Sequence, residues 1–340
     1  MLRITGYSDK YSVHPGEKVK FYINSESNEN YEVQIVRLIH GDTNPEGPGY
    51  KEEELGASCN GNYEGRNQRI HGGSYVIIPQ DERMNVGSFT LQAYIFPTTP
   101  DKGKQGILTK WNETSSSGYG LFVDDDGCLS LMIGDGDGQV FKISSEKKLI
   151  RKVWYLVAAS FDAETGKVIL YQEPTVTPTN GGLGMSLLHP IDETSAIVES
   201  SNNVKPGKND SPFLMAASTV VDRSGRHITG GHYKEALTPV ELPEQGFVFN
   251  GKIDRPRLSN KVLSKDEIKN LSSGYGGCTS DLRTKVVGAW DFHANITNNI
   301  ASTFIADISP SHLNGFIINL PCRGMTGYNW TADDIVYHHK

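Results

Sequence analysis

The amino-acid sequence predicts an all-β protein built around an antiparallel sandwich. In the run Phe89–Phe96, apolar side chains alternate with Thr90, Gln92 and Tyr94, which is the period-two pattern of a strand with one buried face. The same alternation recurs in five further runs: Leu121–Val123, Leu129–Ile133, Val140–Ile143, Leu156–Phe161 and Val168–Tyr171. Turn-forming clusters separate the runs: Pro97–Pro100, Asp124–Gly127, Gly134–Gly138 and Asp162–Gly166. Six short strands at near-regular spacing favour a sandwich over βαβ units.

A smaller β region is predicted in residues 1–73. The Pro15–Gly16 turn separates two strand-like runs, and Tyr31–Ile39 supplies a third strand, so this segment resembles one edge of an immunoglobulin-like sandwich. The polar stretch Gly41–Arg69 is long for a plain connection. We interpret it as a loop, which either contacts a partner or neighbouring domain or is a solvated surface.

The sandwich domain is predicted to occupy residues 74–321, with a linker in 322–340. Its first strand lies near Ser74, and residues 174–212 form an insertion of loops rich in Gly, Ser, Asn and Pro. Later strands are predicted in these runs: Pro212–Ser218, Gly246–Leu258, Val286–His293 and Ala306–Pro321. Ser264 is the expected N-cap of a helix, with Glu267 as its capping-box partner.

Length and charge limit the classes of function. The chain has 340 residues, which suggests about two domains and a sizeable core. Lys and Arg number 33 against 40 Asp and Glu, giving a net charge of -7 with no long run of either sign. This balance argues against a nucleic-acid or anionic-membrane partner. No run approaches 18 apolar residues, so no membrane span is predicted.

The cysteines indicate a reducing compartment. Cys59, Cys128, Cys278 and Cys322 are far apart and form no CxxC pair that would hold zinc. We interpret them as reduced thiols, because the N-terminal sequence has no apolar run typical of a signal peptide. The expected location is the cytoplasm.

Two acidic turns are candidates for a calcium site. Asp124, Asp125 and Asp126 precede Gly127, and Asp135 and Asp137 alternate with glycines. Carboxylates and turn carbonyls at close spacing are ligands that calcium accepts. Aspartate and glycine also make hairpin turns without any metal. Since the strand Cys128–Ile133 separates the two clusters, we expect them at opposite ends of the sandwich and predict that they bind no metal.

The remaining candidate residues carry weaker signals. His227 and His232 flank glycines and are half of a metal site at most, whereas His338 and His339 are chain neighbours whose side chains point apart. Trp111, Trp154 and Trp290 lie in or beside strand-like runs and are expected in the core, whereas Trp330 lies in no such run and is expected to pack against a missing domain. Known catalytic motifs are missing, including ExDxxE, GxSxG, HExxH, the Walker loop and GxGxxG.

The segments FTLQAYIFPTTP, ILTKW, GYGLFVDDDGCLSLMIGDG and WYLVAASFD together resemble the laminin-G-like, or concanavalin A-like, lectin jelly roll. Phe249, Gly251, Ile253 and Pro256–Leu258 match the closing strand of such domains. This resemblance implies a jelly-roll sandwich and says little about the ligand.

The whole chain resembles a more specific family. SDKYSVHPGEKVKFYI, the jelly roll, FNGKIDRPRL, AWDF and LPCRGMTGYNW occur in the order found in the large (beta) subunits of the N,N-dimethylformamidase family. The resemblance implies a front half that is followed by an α/β catalytic domain, with a mononuclear iron held by tyrosine, glutamate and histidine. None of those ligands has a matching position here, so we expect a fragment or a truncated product with no catalytic, cofactor-binding or metal-binding residue.

Two functions follow as expectations. The first is the non-catalytic front part of an amidohydrolase that cleaves N-substituted formamides to amine and formate, acting in domain and subunit assembly. Its implied partners are the missing catalytic domain, other subunits of an oligomeric enzyme and a small accessory subunit. The alternative is a stand-alone lectin-like module that binds carbohydrate or protein, which would need an exposed aromatic platform or a calcium rim.

Overall fold

The computed structural model of the chain describes residues 4–10, 12–25, 27–67, 73–175, 191–220, 245–292, 304–318 and 321. The chain divides into two compact units, Met1–Gly72 and Gly73–Lys340. The described residues form strands and a few short helices, which confirms the all-β class. Among them no helix is long and apolar enough to cross a membrane.

The first unit consists of two-stranded ladders. Its strands are β1 (Ile4–Ser8), β2 (Phe21–Ser25), β3 (Tyr31–Val33), β4 (Ile35–Gly41), β5 (Tyr50–Leu55) and β6 (Gly61–Tyr63). Three antiparallel pairs form, β1 with β2, β3 with β6 and β4 with β5. The front of the chain is therefore a β region, as predicted.

Two details of the first unit differ from the prediction. The run Tyr31–Ile39 is not one strand, because it breaks at Gln34 and its two halves pair with different partners. The stretch predicted as a loop contains β5 and β6. Strand β5 has the polar sequence Tyr-Lys-Glu-Glu-Glu-Leu, which is why the sequence pattern did not predict it. It is stabilised by pairing with the more apolar β4 and has no buried face of its own.

The second unit contains sixteen strands among the described residues. They are β7 (Tyr75–Ile78), β8 (Phe89–Pro97), β9 (Gln105–Asn112), β10 (Ser117–Val123), β11 (Cys128–Asp135), β12 (Val140–Lys148), β13 (Tyr155–Phe161), β14 (Lys167–Pro174), β15 (Ala196–Ser201), β16 (Phe213–Met215), β17 (Ser218–Thr219), β18 (Gln245–Gly246), β19 (Gly251–Ser259), β20 (Val286–Asp291), β21 (Phe304–Asp307) and β22 (Gly315–Ile318). Its helices are α1 (Lys265–Ser273) and α2 (Ser280–Thr284), with 3-10 turns at Glu82–Met84, Ile191–Thr194 and Tyr275–Gly277.

The strands form two sheets that meet at one side. Sheet A has the order β12-β11-β10-β9-β16-β7-β22-β21, and sheet B has the order β20-β19-β8-β13-β14-β15. The pair β20–β21 joins them through Trp290 opposite Asp307 and Asp291 opposite Ala306. All pairs of named strands are antiparallel among the described residues, which confirms the sandwich.

The core lies between the inner faces of the two sheets. Phe89 of β8 stacks on Tyr119 of β10 with ring centroids 4.5 Å apart. The inward residues of β10 and β11, including Leu121 and Leu131, belong to the same buried cluster. The alternation in the sequence therefore identified the inner face correctly.

Sheet B has a second buried face, which the sequence pattern did not indicate. Thr90, Gln92 and Tyr94 of β8 are as buried as their apolar neighbours. Gln92 Nε2 donates hydrogen bonds to Ile268 O (3.0 Å) and Ser272 Oγ (2.8 Å) of α1. Because α1 covers this face, the polar residues of β8 point to a helix and not to solvent.

The ends of α1 form as predicted. Ser264 Oγ accepts a hydrogen bond from Glu267 N, and the Glu267 carboxylate accepts one from Ser264 N, completing the capping box. The helix ends at Gly274. The following short helix α2 was not predicted.

The insertion predicted to form only loops contributes a strand. Within residues 174–212, β15 pairs with β14 and ends sheet B. Val198 of this strand packs against the core. The insertion therefore extends the sandwich, although its composition is typical of loops.

Candidate functional site

The first acidic turn uses its carboxylates to hold the backbone. Asp124 Oδ1 accepts hydrogen bonds from Asp126 N (3.1 Å) and Cys128 N (2.9 Å), and Oδ2 accepts one from Ser144 Oγ (2.9 Å). Asp125 Oδ1 accepts one from Lys104 N (3.0 Å). The turn thus fixes the β10–β11 connection and its neighbour β12.

The second acidic turn is built in the same way. Asp135 Oδ1 accepts hydrogen bonds from Asp137 N (2.7 Å) and Gln139 N (3.0 Å). Gly136 and Gly138 have positive φ angles of 87° and 100°, which only glycine adopts without cost. The two acidic turns lie at opposite ends of β11, and among the described residues no group of three or more His, Cys, Asp or Glu is placed to hold a metal ion.

Several candidate residues lie outside the described part of the chain: His227, His232, Cys322, Trp330, His338 and His339. Trp111, Trp154 and Trp290 are buried, as expected. Cys59, Cys128 and Cys278 are free thiols. Burial raises the pKa of the Cys128 and Cys278 thiols, which makes both poor nucleophiles at neutral pH.

No serine or cysteine is paired with a histidine in the part of the chain that the structure describes. Its histidines are His14, His40 and His312, and none of their imidazoles makes a hydrogen bond with another described residue. Nucleophilic catalysis by serine or cysteine needs a base within hydrogen-bond reach. Among the described residues no histidine supplies that base, and Asp124, whose carboxylate accepts a hydrogen bond from Ser144 Oγ, belongs to the first acidic turn.

The outer face of sheet A carries large aromatic side chains, but they are covered. Trp111 and Phe122 point outward from β9 and β10, yet both are buried. The segment Ala216–Thr219 lies on this face, since Ala217 O accepts a hydrogen bond from Thr109 Oγ1 and Thr219 Oγ1 donates one to Trp111 O. The outer face is therefore not an open aromatic platform.

Phe247 also covers the outer face of sheet A, and a lysine contacts its ring. Lys104 Nζ lies 5.0 Å from the ring centre of Phe122 and 4.5 Å from that of Phe247. It is also 3.6 Å from the Glu113 carboxylate, which accepts a hydrogen bond from Trp111 Nε1 (2.5 Å). Cation–π contact and ion pairing together hold Phe247 over the sheet.

Sequence reasoning missed two buried cations. Lys110 Nζ donates hydrogen bonds to Gln80 Oε1 (2.6 Å), Asn209 O (2.7 Å) and Ser211 O (2.6 Å), and it ties the segment before β16 to β9. Burial lowers the pKa of Lys110 to about 8. Since all three protons of the ammonium have acceptors, this lysine is a structural tie inside the sandwich.

The second buried cation is Arg257 of β19. Its Nη1 donates hydrogen bonds to Trp290 O (2.7 Å) and Pro256 O (2.9 Å), and burial lowers its pKa to about 10. A register irregularity between Asp254 and Arg257 places Arg255 in the left-handed region (φ 48°). Arg255 Nη1 then donates to Ser272 O and Ser273 O at the end of α1. The FNGKIDRPRL segment therefore fastens the helix to the sheet.

A groove of about 350 Å³ lies beside this fastening, between α1 and α2. Its lining consists of Glu267, Asn270, Ser273, Gly274, Gly277, Cys278, Thr279 and Leu282. Glu267 is held by Ser264 and Lys285, and the Cys278 thiol donates to Gly274 O (3.4 Å). These polar groups of the groove thus form hydrogen bonds within the helical segment.

Comparison with known proteins gives two levels of similarity. Residues 71–187 match the concanavalin A-like lectin/glucanases superfamily. Two curated proteins, both named N,N-dimethylformamidase beta subunit, from Paracoccus aminophilus and Alcaligenes sp, are 33% identical over 99% of this chain and are themselves covered to 42%. The chain thus spans less than half the length of these relatives.

Among solved structures, a putative carbohydrate binding protein from Bacteroides ovatus matches 92% of this chain and 76% of its own. The TM-score is 0.44 and the sequence identity is 14%.

Proposed function

The chain is a homologue of N,N-dimethylformamidase beta subunits along 99% of its length, and from this premise we propose that it is a non-catalytic portion of an amidohydrolase of that type. Its role in this proposal is the assembly of the enzyme's domains and subunits. The reaction of the whole enzyme would be the hydrolysis of N-substituted formamides to an amine and formate.

The arrangement of the described residues supports a non-catalytic role. They pair no serine or cysteine with a histidine, and they contain no group of three or more His, Cys, Asp or Glu that could hold a metal ion. We therefore assign catalysis, and the iron that the family resemblance implies, to the part of the relatives that this chain does not span. A cytoplasmic location is part of the proposal, supported by the exposed free thiol of Cys59.

The observation that carries the assembly role is the apolar surface of the first unit. Among its described residues no apolar side chain is buried, and Phe21 and Leu38 are each 57% exposed. Ladders of two strands are marginally stable in water without a covered face. We infer that another protein surface packs on these exposed apolar side chains.

A complementation experiment tests this proposal. The chain alone should release no dimethylamine from N,N-dimethylformamide above a boiled control. Co-expression with the remaining part of a relative's beta subunit and its partner subunit should restore activity. Restoration should fail with Phe21→Glu and Leu38→Glu but persist with Val140→Glu, a matched exposed apolar residue of the second unit. Activity of the chain alone would contradict the proposal, as would restoration that is indifferent to Phe21 and Leu38.

The superfamily match favours one alternative function, a stand-alone module that binds carbohydrate or protein. The covered positions of Trp111 and Phe122 weigh against glycan binding at the outer face of sheet A. A glycan array and a calcium-dependent shift in melting temperature test this alternative, since binding to a defined glycan would favour it over the assembly role.

A further inference from the structure

Gln92 of β8 is fully buried, and its two amide atoms are used unequally. Its Nε2 donates hydrogen bonds to Ile268 O (3.0 Å) and Ser272 Oγ (2.8 Å), whereas its buried Oε1 accepts none from the described part of the chain. The amide cannot be turned around, because Ile268 O only accepts hydrogen bonds and would then face the Gln92 oxygen. Gln92 Oε1 is therefore a buried acceptor that needs a donor.

Two other glutamines of the sandwich show the usual arrangement. Gln105 and Gln172 are also fully buried. The oxygen of Gln105 accepts a hydrogen bond from Asn250 N (3.0 Å), and that of Gln172 accepts one from Ser145 Oγ (2.9 Å). In both residues Nε2 donates to backbone carbonyls. Buried polar atoms nearly always have a partner, and ordered water satisfies those that protein atoms do not.

The strand beside Gln92 carries a buried donor that is also unused. Arg257 of β19 lies directly opposite Gln92 in the antiparallel pair, so both side chains are on the face that α1 covers. Its Nη1 donates to Pro256 O and Trp290 O, but its buried Nε has no hydrogen-bond partner among the described residues. A residue with a donor to spare thus neighbours one with an acceptor to spare.

The side chains in the same row across sheet B are small. Ala289 of β20 lies opposite Arg257 on one side of the pair, and Ala158 of β13 lies opposite Gln92 on the other. Both alanines are buried and belong to the cluster that packs under α1. Because alanine fills so little of the layer beneath the helix, a molecule of the size of water can lie beside the two longer side chains.

We propose that an ordered water molecule is bound under α1 and bridges Gln92 Oε1 and Arg257 Nε. The water donates to the amide oxygen and accepts from the guanidinium, so each atom gains the kind of partner that it needs. An anion would suit Arg257 but would face the Gln92 oxygen without a proton between them. Burial lowers the pKa of Arg257, and the carboxylates of Asp291 and Asp254 act in the opposite direction, so negative charge already lies near the guanidinium. This water site is independent of the assembly role proposed above.

Crystal structures of the natural chain and of two variants test the proposal. We expect electron density for a water within hydrogen-bond distance of both Gln92 Oε1 and Arg257 Nε in the natural chain. Gln92→Met should lose this water, since a thioether is at most a weak acceptor. Gln105→Met is the matched control, because it removes a buried glutamine whose amide is satisfied by the chain, and it should keep the water. Crystals grown with bromide distinguish an anion by its anomalous signal.

Nuclear magnetic resonance of the natural chain supplies a measurement that needs neither crystals nor a substitution. The Arg257 Nε–H proton should show a nuclear Overhauser effect to a bound water. A direct hydrogen bond between Gln92 and Arg257, a bromide peak at this position or a natural chain without the water would overturn the proposal. So would a water that persists in Gln92→Met or that disappears equally in Gln105→Met. If neither variant folds, the two measurements on the natural chain decide.

Discussion

At the scale of single residues, the sandwich tolerates a charge in its interior by giving it a complete set of acceptors. Lys110 is fully buried, and its ammonium donates to Gln80, Asn209 and Ser211. Burial disfavours the charged form, which lowers its pKa to about 8. The fold thus carries an electrostatic cost that depends on pH.

The pH dependence of stability should reveal this cost. Between the folded pKa of about 8 and the unfolded value, the unfolded chain holds a proton that the folded chain lacks. The free energy of unfolding therefore rises with pH across this window, by roughly 3 kcal/mol over its whole width. Urea unfolding at several pH values above 8 should show this rise in the natural chain and a smaller rise in Lys110→Met. Equal slopes in the two proteins would show that Lys110 does not titrate in the fold.

Phe89 tests the inner face of the core. It is fully buried and stacks on Tyr119, so Phe89→Asp would place an unpaired carboxylate among apolar side chains at a cost of several kcal/mol. We expect loss of soluble expression, whereas Phe89→Leu should remain folded at reduced stability. The measurement is the soluble yield and the melting curve. An unaltered melting curve for Phe89→Asp would contradict the assignment of this face.

At the scale of elements, helix α1 explains why one face of β8 is polar and buried at once. Gln92 bonds to Ile268 and Ser272 of this helix, and Thr90 Oγ1 donates to Lys261 O just before it. The position of α1 depends on its capping box and on Arg255 at its other end. Its stability is therefore coupled to that of sheet B.

Removing the N-cap should weaken this coupling. Ser264→Ala leaves Glu267 N without its side-chain acceptor and should lower the free energy of unfolding by about 1 kcal/mol. Ser273→Ala is the control, since Ser273 Oγ only donates to Lys269 O within the exposed helix end. Chemical denaturation of both variants measures the difference. A smaller loss for Ser264→Ala than for Ser273→Ala would show that the cap is not important.

The hairpin turn after β11 should bind no calcium. Asp135 Oδ1 is occupied by two backbone amides, and a calcium ion needs six to eight oxygen ligands. Isothermal titration with calcium should be flat at millimolar concentrations for the natural chain and for Asp135→Asn with Asp137→Asn alike. Saturable heat that disappears in the double variant would contradict this expectation.

The sequence predicted those elements whose side chains alternate and missed those held mainly by pairing. The runs from Phe89 to Tyr171 predicted strands because their apolar residues face one core. Strands β5 and β15 are polar or mixed and are stabilised by one neighbouring strand, which composition does not encode. Periodicity alone also cannot show that a helix covers the polar face of β8.

The buried lysine illustrates why the site residues were harder to predict. A register irregularity opposite Phe122 turns both Ile107 and Leu108 toward the core. If side chains alternated regularly from the inward Ile107, Lys110 would lie on the outer face of sheet A. In the structure Lys110 lies opposite Tyr119, whose side chain faces the core. The roles of Asp124 and Asp135 in turns were predictable, since they depend on local hydrogen bonds.

At the scale of the whole molecule, the two units differ in how they are stabilised. Every residue of the three buried hydrophobic clusters belongs to the second unit. The first unit has ladders and exposed apolar side chains instead. The second unit therefore has what an independent fold requires.

Removing the first unit should leave the second intact. A chain that begins at Gly73 should keep a cooperative thermal transition, with Tm shifted by less than about 4 °C, the shift that roughly 1 kcal/mol produces in a domain of this size. Calorimetry of the shortened and full chains makes the comparison. Loss of the transition would show that the sandwich depends on residues 1–72.

The pairing of β7 with β22 has a consequence for synthesis on the ribosome. Strand β7 is the first strand of the second unit, yet its neighbours in sheet A are β16 and β22, and Phe316 lies opposite Ile77. At about 5–20 residues per second, the ribosome needs on the order of 10–50 s to make the segment between these strands. During that interval, residues Tyr75–Ile78, all buried in the finished sandwich, have only part of their final cover. Chaperones that hold nascent apolar strands should therefore raise the yield of this protein more than those that act after release.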